Sequence, residues 1–193
     1  MAVEDHALFQ ALAAHDAQTA RHSRRVARLA VSIGRQLGVA AAELDRLRHA
    51  ALLHDLGKVR IPARLLQKSG RLTLFDWDVL RRHPLDGLRL AQALAPALGP
   101  WIFAISQHHE RWDGHGYPGR LGGAAISLGA RIVAVADSYE AITARRPYSG
   151  GTPASHARSE VQCNAGTQFD PAIVEVFLDM PRAVIEEGAG DED

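Results

Sequence analysis

At 193 residues, with 47% apolar and 23% charged side chains, the chain is long enough for one globular domain with a hydrophobic core. Its 22 basic and 22 acidic residues cancel, so no net field favours a polymeric nucleic acid or an acidic membrane surface as partner. The lone cysteine, Cys163, excludes an internal disulfide and a sulfur-rich metal site. No apolar run reaches the ~20 residues of a membrane span, so a soluble, cytoplasmic protein is expected.

In chain order, residues 1–15 form a lead-in helix. Val26, Leu29, Ala30, Ile33 and Leu37 then share one face of a helix expected over 16–37 and closed by Gly38. Leu44, Leu47, Ala51 and Leu52 continue the helical period over 43–54, with Gly57 as a stop. Residues 73–94 open on Thr73 and acidic residues, a helix start. A short helix is expected over 101–109. Six glycines and Pro118 make 111–129 a loop of demanding backbone geometry. Ile132, Val135, Ala136, Tyr139 and Ile142 mark a helix over 128–144. A polar gap at 149–153 precedes one or two short helices bounded by Gly166 and Pro171. Residues 186–193, with five acids in eight, read as a disordered tail. The expectation is one all-α domain over 16–185.

Ten histidines are the compositional oddity, and histidine is the commonest metal ligand. His54 and Asp55 stand together at a helix end, supplying an imidazole and a carboxylate able to bridge two cations. His83 precedes Pro84, His108 and His109 end the helix before the glycine loop, and Asp137 lies in the helix after it. The intervals each fit one helix plus a turn, so ligands from several helices can converge on a bundle interior, with His22 from the first long helix. His6, His15, His49, His115 and His156 read as surface histidines.

The run His54-Asp55-Leu56-Gly57-Lys58, then Ile61-Pro62 and His83-Pro84, then His108 through Gly116, Tyr117 and Pro118, resembles the motif set of HD-GYP domains. Ala130 to Asp137, Arg146-Pro147-Tyr148, Gly166 to Pro171 and Thr19 to Ser23 extend the resemblance over about residues 16–178. It implies a helical HD-type domain with a binuclear site. His22, His54, Asp55 and Asp137 would hold one divalent transition metal and His83, His108 and His109 the second, with Asp55 bridging. Iron or manganese is favoured, with nickel or zinc also compatible with nitrogen and oxygen ligands. It further implies a bacterial signalling enzyme, a phosphodiesterase opening cyclic di-GMP to pGpG or GMP through a metal-activated hydroxide. Asp55 and Lys58 would be catalytic, and Lys58, Arg146, Tyr117 and Gly116 would bind substrate. A diguanylate cyclase or other signalling protein, and a second copy of the chain, are the implied protein partners.

Three positions depart from the family pattern. Gln18 stands where some members carry a glutamate that helps bind a third metal, Ser149 where a basic residue is common, and Gly119 where a polar one is. Gln18 argues for two metals, and its i,i+4 spacing from His22 is expected to aim it at that histidine's metal. Ser149 keeps open a catalytically weak cyclic dinucleotide-binding or protein-interaction module. A different HD-type phosphohydrolase acting on another cyclic dinucleotide is the alternative among enzymes. Residues 1–15 leave no room for a receiver or sensory module, so the sequence reads as a standalone protein or a fragment.

Overall fold

A computed structural model describes residues 4–144 and 154–189; every regular element among them is helical. Among the described residues the only β-bridge is an isolated one between Ala165 and Phe169. No described helix is long and apolar enough to cross a membrane.

Helix α1 (Glu4–His15) abuts α2 (Ala17–Gln36), separated by Asp16, whose carboxylate caps α2 by accepting from the Gln18 amide at 3.0 Å. α2 buries Val26, Leu29, Ala30 and Ile33, the stripe its period requires. Next come α3 (Ala41–Leu52), a 3-10 turn (Leu56–Arg60) and α4 (Ala63–Leu66). The helix expected over 73–94 is broken: α5 (Leu74–Leu80) stops at Arg81, and α6 (His83–Leu90) restarts with Pro84 in its first turn. Proline lacks the amide that would have continued the ladder, whereas a first turn does not use it. After α7 (Ala95–Leu98), the helix expected over 101–109 is a 3-10 turn (Gly99–Ile102) followed by α8 (Phe103–Gln107). The glycine loop leads into α9 (Leu128–Thr143), then α10 (Ala154–Cys163), α11 (Pro171–Asp179) and α12 (Arg182–Ala189). The acidic tail expected from 186 is helical as far as Ala189, and 190–193 lie outside the described residues.

Two apolar clusters form the core. One gathers α2, α3, α9, α10 and α11 around Ile33, Leu47, Val133, Tyr139 and Phe177; the other joins α1, the turn after α3 and α6 to α8 around Leu12, Leu53, Leu56 and Ile105. Ala51 belongs to the first cluster and Leu53 to the second, so the chain passes between cores just before His54 and Asp55. That crossing pins the pair in position from both sides.

Candidate metal centre

His54, His83 and His108 are oriented by one device used three times. Each Nδ1 lies against the carbonyl oxygen three residues earlier: Ala51 at 2.7 Å, Leu80 at 2.7 Å and Ile105 at 3.0 Å. A carbonyl only accepts, so each Nδ1 carries the proton and each Nε2 presents a lone pair inward. The lone pairs converge on other acceptors. His83 Nε2 is 3.2 Å from His108 Nε2 and 3.3 Å from Asp55 Oδ1, and His54 Nε2 is 3.4 Å from Asp55 Oδ2. Acceptors facing acceptors at such distances repel unless a cation lies among them. His54 Nε2 and Asp55 Oδ1 are buried without any hydrogen-bond partner. Each orphan of this kind costs on the order of 1–3 kcal/mol. The donor set therefore fits a metal.

The ligand atoms fall into two groups, His83 with His108 and His109, and His22 with His54 and Asp55; within each, the atoms lie within 4.8 Å of one another. Asp137 joins the second group through its Oδ1, 2.9 Å from His22 Nε2. Asp55 turns one oxygen toward each group. The structure thus brings together all seven residues expected as ligands. The rings of His108 and His109 are 4.1 Å apart and those of His22 and His54 5.5 Å apart.

Electrostatics separate the two groups. Burial, helped by the neighbouring imidazoles, lowers the pKa of His83, of His108 and of His109, the last to about 4, so all three are neutral near pH 7. At His22 burial works against charge, but the hydrogen bonds it donates to Asp137 and Glu140 override it and raise the pKa to about 10. Burial likewise opposes ionisation of Asp55, yet Lys58 and His54 hold its carboxyl well below the usual range. Lys58 Nζ donates to Asp55 Oδ2 at 2.6 Å and stays cationic because Asp55 outweighs its own burial.

The backbone around the site needs its glycines. A Cβ on Gly57 would run into the carbonyl oxygen of His83 and lie 2.6 Å from the amide of Gly87, so the turn holding Asp55 can press on the start of α6 only without a side chain. A Cβ on Gly116 would lie 2.5 Å from Glu110 Cα and 2.6 Å from the His109 carbonyl oxygen. The loop folds back here: the Tyr117 amide donates to His109 O at 3.1 Å, and the Tyr117 ring stacks on His109 with centroids 4.8 Å apart. Burial pushes the Tyr117 hydroxyl pKa up, so it keeps its proton. The 164–170 turn backs the loop, accepting from Trp112 N at 3.1 Å and Asp113 N at 2.8 Å.

Some residues stand elsewhere than expected. Arg146 and Ser149 lie outside the described residues. Gln18 is exposed in the first turn of α2, beside the buried Thr19. Gly119 contributes its amide, which donates to Glu110 Oε1 at 2.5 Å. Among the histidines read as surface, His49 is buried, its Nδ1–H bonded to Asp45 O at 2.7 Å, and His15 is half-buried against Ile61 O at 3.0 Å.

Sequence reasoning missed two buried carboxylates. Glu140 accepts from His22 Nδ1 and Arg25 Nε; it sits three residues after Asp137 as Arg25 sits three after His22, a paired spacing that could have found it. Glu110 accepts from the amides of Gly119 and of Leu121, the latter at 3.0 Å, and so clamps the loop. It lay inside the loop motif as an acid beside two histidines, without a signal of its buried role.

Comparison with known proteins agrees with this geometry. A family model described as HD domain matches residues 6–173. A cyclic di-GMP phosphodiesterase of Thermotoga maritima is 37% identical over 89% of this chain, and a 3'3'-cGAMP-specific phosphodiesterase 2 of Vibrio cholerae is 35% identical over 89%. The chain spans 47% and 33% of those two relatives' own length. The HD domain of the phosphodiesterase PgpH of L. monocytogenes, solved with cyclic-di-AMP, superposes with a TM-score of 0.66 at 17% identity, covering 93% of this chain and 94% of that one. That likeness is one of fold. The chain belongs to the HD domain family, and its motifs place it among the HD-GYP proteins.

Proposed function

We propose that this chain is a metal-dependent phosphodiesterase that hydrolyses cyclic di-GMP to pGpG, GMP or both. The observation that carries the reading is Asp55, a buried carboxylate whose two oxygens face two separate histidine groups. His22, His54, Asp55 and Asp137 would hold one divalent metal and His83, His108 and His109 another, with Asp55 shared; iron or manganese is the favoured metal, with nickel or zinc possible on the same nitrogen and oxygen donors. Two such metals supply polarisation of the scissile phosphate and a nucleophilic water at neutral pH.

The chain's own residues do the rest. Neutral His83, His108 and His109 keep lone pairs available for ligation. Lys58, cationic and fixed on Asp55, supplies positive charge beside the scissile phosphate and a proton for the leaving oxygen. Tyr117, held flat on His109, lines the cleft as a substrate contact, and Gly116 keeps the loop close enough to shape it. Arg146 would grip a phosphate through its planar fork.

The Vibrio cholerae relative makes 3'3'-cGAMP the second candidate substrate. Anaerobically purified, metal-loaded protein offered both dinucleotides, with products separated by chromatography, tests the choice. Faster turnover of cyclic di-GMP supports the reading, and turnover of 3'3'-cGAMP alone replaces it.

A further inference from the structure

The cleft over the metal ligands opens into a second hollow that the ligand set leaves unexplained. The inner cavity, about 260 Å³, is lined by His108, His109, Asp137 and Tyr117. The outer one, about 460 Å³, is lined by Arg81, Gly114, His115, Gly116, Tyr117 and Arg120. Arg81, His115, Gly116 and Tyr117 line both, so the two are continuous.

Arg81 closes a stack that begins at the ligands. Tyr117 lies flat on His109, and the Arg81 guanidinium lies over Tyr117 at 5.5 Å from its centroid and near the Trp77 ring at 5.7 Å. Aromatic faces fix a guanidinium without consuming its N–H donors. Among the described residues no carboxylate is within ion-pair distance of Arg81.

Arg120 is held by a different device. Its φ is +54°, and it is the only non-glycine residue with positive φ among those described. The amides on either side of it, Gly119 and Leu121, are both held by the buried Glu110 carboxylate. A conformation that favours glycine therefore carries an exposed arginine into the outer cavity, at a cost that a glycine would avoid.

We propose that Arg81 and Arg120 form an outer anion subsite that binds the second phosphodiester of a cyclic dinucleotide while the first lies at the metals. The proposal rests on the function proposed above. A cyclic dinucleotide is a ring with two phosphates, so it needs a cation at the far end of the cleft, which a simple phosphodiester does not.

The test uses metal-loaded protein with cyclic di-GMP and, as a single diester, bis(p-nitrophenyl) phosphate. Arg81→Ala removes the guanidinium, and Arg120→Gly removes the other while accepting the same φ, so its fold is kept. Each variant is expected to lose at least tenfold more kcat/KM on cyclic di-GMP than on the single diester, with the difference in KM; tenfold is the scale of one charge-assisted contact. Equal losses on both diesters, or none, in Arg120→Gly would overturn the subsite alone. Wild-type protein that cleaves the single diester but no cyclic dinucleotide would overturn the substrate reading and the subsite with it.

Discussion

The buried carboxylate of Glu140 in α9 accepts the Nδ1–H of His22 in α2, and its other oxygen accepts from Arg25. Glu140 thereby fixes the orientation of the His22 ring, with Nε2 turned toward Asp137. Outer partners of this kind typically change metal affinity by roughly 10–100-fold. Glu140→Gln should weaken metal binding by that amount, since an amide nitrogen facing the ring or Arg25 cannot accept. Competition with a chelator of known affinity measures it; an unchanged dissociation constant in a folded variant would remove Glu140 from this role.

His83→Ala and His109→Ala each delete a ligand from the three-histidine group and leave the other group intact. Metal content should fall from two toward one per chain in both. Elemental analysis beside circular dichroism separates loss of metal from loss of fold; two metals retained in both variants would refute the partition.

Gly116→Ala places a methyl group against the backbone of residues 109–111. Overpacking of this sort costs about 1–3 kcal/mol, and the loop can relieve it only by lifting Tyr117 off His109. We expect a lower urea midpoint and a raised KM for cyclic di-GMP, with metal stoichiometry preserved. Wild-type stability and KM together would mean that the loop is not held as tightly as its contacts indicate.

The sequence made some of this legible and hid the rest for physical reasons. α2 could be read from its long, regular apolar stripe, and α9 from a long apolar run that is buried almost without a break from Gly129 to Ala136. The break at Arg81 was not legible because Pro84 stands inside a motif and nothing beside it marks it as a first-turn residue. All seven candidate ligands carried signals in their motifs and spacing. The exposure of Gln18 was not legible because i,i+4 spacing from His22 does not say how wide the buried part of that face is. Glu140 and Glu110 were invisible because a glutamate in a helix or loop has an exposed role far more often than a buried one.

The most direct measurement of the central claim is metal content and cyclic di-GMP turnover of Asp55→Ala, prepared anaerobically beside the wild type. Asp55 carries the one carboxylate whose two oxygens face both histidine groups. Its removal should bring metal content below two per chain and lower turnover by far more than the roughly 100-fold upper range of outer-partner changes. A folded Asp55→Ala protein with two metals and more than a tenth of wild-type turnover would contradict the account.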